Sequence, residues 1–122
     1  MILVDCVYIN NGGGKILLDQ LVISINGTNS NVQFLFDDRI VNNYKNEKFT
    51  NQPIFIKAGL NSRKIFYQLN KYKFSLVFTF GNIPPPIKLN IPVYTYLHNV
   101  LYLEKKNHLN LLILQILHLN LT

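Results

Sequence analysis

The residues with the most chemical potential lie together in Asn10-Asn11-Gly12-Gly13-Gly14-Lys15. Three consecutive glycines let the backbone take turns that other residues avoid, and they put no side chain between the main chain and a ligand. The residues after them, Leu17, Leu18, Leu21, Val22 and Ile25, recur at helical spacing. A helix that opens on such a loop directs its free N–H groups toward an anion such as a phosphate, and Lys15 adds positive charge. The stretch is neither G-x-G-x-x-G, because Leu17 stands where the third glycine belongs, nor a P-loop, because Ile16 follows Lys15. It predicts a ligand-facing turn without a nucleotide fingerprint. Its plain alternative is a tight strand-to-helix connection.

Further polar positions recur after apolar runs: Asp37-Asp38-Arg39, Gly81-Asn82 and His98-Asn99. Asp37 stands where a dinucleotide-binding domain carries its ribose-holding acid, so a nicotinamide- or flavin-binding domain is one alternative. An acidic pair followed by Arg also suits a solvated strand end with a local ion pair. His98 is isolated in sequence. His108 and His118 have no Cys, Asp or Glu at metal-ligand spacing beside them, and no metal site is expected.

These positions need a frame, and the hydrophobic pattern supplies one. Residues 2–9 form a nearly continuous apolar run suited to a central parallel strand buried on both faces. Further strands are expected at 32–36, 54–56, 74–80 and 91–97. A second helix, capped by Asn61 or Ser62, would bury Ile65, Phe66 and Leu69. The polar passage 41–52 has no period and reads as an exposed loop, and Ile83-Pro84-Pro85-Pro86 reads as a rigid extended segment. Strands alternating with helical segments predict an α/β fold: a Rossmann-like open parallel sheet with flanking helices. Ligands of such sheets bind at the carboxyl ends of the strands, where the polar and glycine positions above would gather.

The 122 residues suit one domain able to bury a core, and 48% hydrophobic against 15% charged residues excludes a disordered chain. A net charge of +6 favours anionic partners: a phosphorylated ligand, an anionic membrane surface or, weakest for want of any motif, nucleic acid. The single Cys6 allows no internal disulfide, and a buried apolar role fits it best. There is no signal-peptide pattern and no apolar stretch near the ~20 residues that cross a bilayer. A cytoplasmic location is expected, with contact to the inner membrane face an option.

Two stretches add a resemblance. Val7-Tyr8-Ile9-Asn10-Asn11-Gly12-Gly13-Gly14-Lys15, followed by Leu17-Leu18, resembles the start of bacterial glycosyltransferases of the GT-B fold, the large family often designated group 1. Phe80-Gly81-Asn82-Ile83-Pro84-Pro85 with Val93-Tyr94-Thr95-Tyr96-Leu97-His98-Asn99 is similar to a later part of the same N-terminal domain. The resemblance covers residues 1–103 and implies the Rossmann-like, acceptor-side half of a GT-B enzyme. Such enzymes move a sugar from a nucleotide-sugar donor to a saccharide or glycoconjugate acceptor, as in polysaccharide assembly, and need no separate cofactor. The resemblance assigns Gly12, Gly13 and Gly14, with Lys15, to the donor phosphates and acceptor, and gives His98 a catalytic place facing the transferred sugar. Asn82 and Asn99 stand beside them as binding positions. GT-B enzymes draw most donor contacts from a second domain with a glutamate-containing motif, and this sequence stops before one could begin. A fragment inactive on its own is therefore expected. Residues 104–122, rich in Leu, Asn and His, form an atypical tail outside the parent fold. A non-catalytic module binding a phosphorylated ligand or a sugar is the main alternative.

Overall fold

The structure is a computed structural model that describes residues 1–97. Its centre is β1 (Ile2–Cys6), in which all five residues are buried. β1 pairs in parallel with β2 (Val32–Asp37) on one side and β4 (Leu76–Thr79) on the other. The short strands β3 (Ile54–Ile56) and β5 (Val93–Thr95) complete an all-parallel sheet in the order β3-β2-β1-β4-β5. The expected open α/β sheet of the Rossmann-like kind is present.

Alternation along each strand divides the core into two layers. Ile2, Val4 and Cys6 of β1, Val32, Phe34 and Phe36 of β2, and Leu76, Phe78 and Phe80 from β4 onward meet Leu18, Leu21, Val22 and Ile25 of α1 (Gly12–Asn26). Leu3, Val7, Leu35 and Val77 face the other way, against Phe66 and Tyr67 of α2 (Leu60–Asn70) and Phe74. Helices thus cover both faces, which is why the central strands are largely apolar. Ile87, Leu89 and Ile91 from the proline-rich connection between β4 and β5 pack on the α2 layer.

Several boundaries differ from the sequence expectation, each for a physical reason. β1 stops at Cys6 because the chain turns: Ile9 N–H donates back to the Cys6 carbonyl at 3.2 Å, and Tyr8 takes a φ of +82°. Helix α1 begins at Gly12, so the glycines are its first turn and not a loop before it. The passage 41–52 is not wholly exposed. Tyr44 and Phe49 fold over the α1 layer, with the Tyr44 ring stacked 5.0 Å from Phe36 and Phe49 edge-on to both.

The largest correction concerns α2. Its buried residues are Arg63, Phe66 and Tyr67, whereas Ile65 and Leu69 are 55% and 74% exposed. The cause lies in β1. Asp5 points into the α2 layer, and a buried carboxylate there demands a cation and donors. The helix is turned to deliver them, at the expense of two aliphatic side chains.

Candidate functional site

Parallel pairing sends the carboxyl ends of all five strands to one edge of the sheet, and the sequence-predicted positions follow. The turn after β1 leads into Gly12–Gly14; Asp38 and Arg39 follow β2, Lys57 and Ala58 follow β3, and Gly81 and Asn82 follow β4. The reversal of strand order lies between β1 and β4, with α1 on one face and α2 on the other. Open α/β sheets place their ligands at that point.

The first turn of α1 is bare. Asn11, its N-cap, is extended at φ −156° and ψ 178° and makes no side-chain capping bond. The helical pairing begins with Lys15 N–H donating to the Asn11 carbonyl at 3.3 Å. The N–H groups of Gly12, Gly13 and Gly14 precede that bond and have no intrahelical acceptor. Gly12 has φ +66°, which strains any other residue there. A Cβ built on Gly12 or Gly13 meets nothing within 4 Å, so neither glycine is demanded by packing.

Gly81 is the opposite case. A Cβ there would stand 2.5 Å from the Val7 carbonyl oxygen, so the chain leaving β4 lies directly on the chain leaving β1. Asn82 follows with φ +68°, a left-handed conformation that Asn accepts more readily than most residues. The two loops at the switch point are therefore built against each other.

Lys15 is occupied elsewhere. Its ammonium pairs with Asp19 one turn along α1 and lies 4.9 Å from the centre of the Tyr44 ring, while the Tyr44 hydroxyl donates to Asp19 at 2.6 Å. These contacts hold passage 41–52 to α1 and draw the lysine back along the helix. Burial, with Asp19 next, pushes the Tyr44 phenol far above its ordinary value.

Asp37 is fully buried, not solvated, although the expected ion pair with Arg39 is present. Arg39 donates to its carboxylate from the backbone N–H at 3.0 Å, from Nε at 2.9 Å and from Nη2 at 2.7 Å. The nearby backbone N–H of Tyr8 favours the charge as well. Burial opposes the charge on Asp37, but these donors outweigh it and hold the carboxyl below its ordinary value. Arg39 also borders an open cleft of about 340 Å³ with Asp38, Lys57 and Ala58 between the ends of β2 and β3.

Beneath the switch point lies a network that sequence reasoning missed. Asp5 Oδ2 accepts from Arg63 Nη2 at 2.7 Å, Arg63 Nε at 3.2 Å and the Tyr67 hydroxyl at 2.6 Å, while Oδ1 accepts from Val7 N–H at 3.1 Å. Arg63 also donates to the carbonyls of Ile83 and Pro84, both at 3.1 Å, and its guanidinium lies 5.4 Å from the centre of the Tyr8 ring. One arginine thus ties β1 to the loop that follows β4. Burial works against its charge and Asp5 more than offsets this, leaving its pKa above the ordinary value. Burial, then Asp5, keeps the Tyr67 phenol firmly protonated. The available signal was Asp5 itself, one carboxylate inside an otherwise apolar central strand.

His98, Asn99 and the tail 104–122 lie outside the described residues. Within 1–97, the sheet brings Gly12, Gly13, Gly14 and Asn82 to the carboxyl edge and leaves Lys15 engaged on α1. Among the described residues no helix is long and apolar enough to cross a membrane. No protein-family model, curated protein or solved structure matches the chain.

Proposed function

We propose that the carboxyl edge binds a phosphoryl-bearing ligand, and that the domain is the acceptor-side half of a glycosyltransferase using a nucleotide-sugar donor. The observation that carries this reading is the uncapped first turn of α1, walled by glycines that packing does not require, beside the reversal of strand order. Three N–H groups and the positive end of the helix dipole offer a diphosphate what its charge needs as it departs. Asn82 flanks this turn from the β4 side. The resemblance adds His98 as the group facing the transferred sugar, and such enzymes use a second, donor-binding domain in turnover. A dinucleotide-binding domain is disfavoured, because the acid it would use, Asp37, is committed to Arg39.

Titration of the full chain with inorganic pyrophosphate and with uridine diphosphate glucose, followed through backbone amide resonances, tests this. Shifts centred on Gly12, Gly13 and Gly14 are expected, and Gly13→Val should abolish them while the remaining spectrum stays folded. Equal binding by wild type and variant would rule out a ligand at this turn. Binding confined to the sugar nucleotide, without pyrophosphate, would place recognition away from the phosphates.

A further inference from the structure

The outer face of α2 has properties that the carboxyl edge does not explain. Ile65 and Leu69 of α2, and Tyr72 in the 3-10 turn Lys71–Lys73 that continues it, recur at i, i+4 and i+7, and they are 55%, 74% and 87% exposed. Leu60, at the start of the helix, is exposed as well. Lys64 and Gln68, both exposed, flank this stripe on one side, and it runs on into a cleft of about 210 Å³ bordered by Lys71, Tyr72, Lys88 and Asn90. Lys73 adds a further charge beside Tyr72.

The half of the chain that carries this stripe has charge of one sign, and Lys71 and Lys88 lie beside Tyr72 in the cleft. Residues 48–97 carry seven Lys and Arg and not one Asp or Glu, whereas residues 1–47 carry three basic residues against five acidic ones. Of the seven, Arg63 is spent on Asp5, and the six lysines are left. Exposed aliphatic side chains, a tyrosine and lysines without acids form the combination that suits the boundary between acyl chains and anionic headgroups. Nucleic acid would use the lysines but gains nothing from Ile65 and Leu69.

We propose that the outer face of α2 docks the protein peripherally on an anionic phospholipid bilayer. Ile65, Leu69 and Tyr72 enter the interface, while Lys64, Lys71, Lys73 and Lys88 meet headgroup phosphates. The proposal rests on this surface alone and is independent of any ligand at the carboxyl edge.

Co-sedimentation of the full chain with phosphatidylcholine vesicles, with and without phosphatidylglycerol, provides the test. Binding is expected with the anionic vesicles, and it should weaken as salt is added. Lys71→Gln should weaken it by roughly fivefold and Leu69→Gln by roughly tenfold. Both side chains lie outside the core, so circular dichroism should show each variant folded. Equal binding to neutral vesicles, or none to anionic vesicles at low salt, would overturn the proposal. So would loss on Lys71→Gln with none on Leu69→Gln, which would mark a charge-only surface of the kind nucleic acid or an acidic protein uses.

Discussion

Asp5 is a single carboxylate in a strand otherwise made of hydrocarbon and a thiol, and its four hydrogen bonds decide how the α2 layer is arranged. Removing one partner of such a pair leaves the other charged and dry. Arg63→Ala should therefore cost about 3–5 kcal/mol in urea unfolding, whereas the double change Asp5→Leu with Arg63→Met should cost far less. Equal losses in the single and double variants would show that the arginine matters for its volume and not for its charge. Asp37 gives a second residue-scale expectation. Its carboxyl is held below the ordinary 3.8, so its contribution is complete above that pH and is lost as pH falls through the lower folded value. The acid limb of stability should accordingly be shallower in Arg39→Gln than in wild type, read as the urea midpoint against pH. An identical limb would mean that Arg39 does not hold Asp37. Cys6 is inert by the same physics: burial, then the neighbouring Asp5, raises its thiol well above the ordinary range.

At the scale of elements, the glycines show what sequence can and cannot disclose. The run Gly12-Gly13-Gly14 draws the eye, yet Gly13 has open space around it, whereas the isolated Gly81 lies against the Val7 carbonyl. Gly13→Ala should leave the fold intact and raise stability by about 0.5–1 kcal/mol, since helical backbone favours Ala. Gly81→Ala should lower it by about 1–3 kcal/mol through overpacking. Thermal unfolding of the two variants checks both, and matching midpoints would contradict the close approach of the two loops. The strands, α1 and its stripe were legible because hydrophobic period reports directly on burial. The rotation of α2 was not, because period assigns Ile65 and Leu69 to the core and knows nothing of a carboxylate sixty residues earlier in the chain. The half-buried role of Tyr44 was hidden for a related reason: one aromatic ring among Asn and Lys carries no period, and it is Phe36 and Lys15 that recruit it.

At the scale of the whole molecule, the site and the outer face of α2 have separate origins. The carboxyl edge follows from parallel topology, which the alternation of strand and helix made readable. The basic, partly apolar surface follows from how charges distribute once the chain is folded, and scattered lysines disclose that poorly. Among the described residues the sheet contains no hairpin: every pairing is parallel, and β1, made first, has its second neighbour at residues 76–79. Parallel neighbours cannot zip from a tight turn, so each must wait for a long loop to close. During synthesis, β1 therefore leaves the ribosome with one flank and much of its apolar surface uncovered until most of residues 1–79 have emerged. For that interval the nascent chain is a natural client for a holding chaperone, and slowing translation before β4 would lengthen its exposure to aggregation.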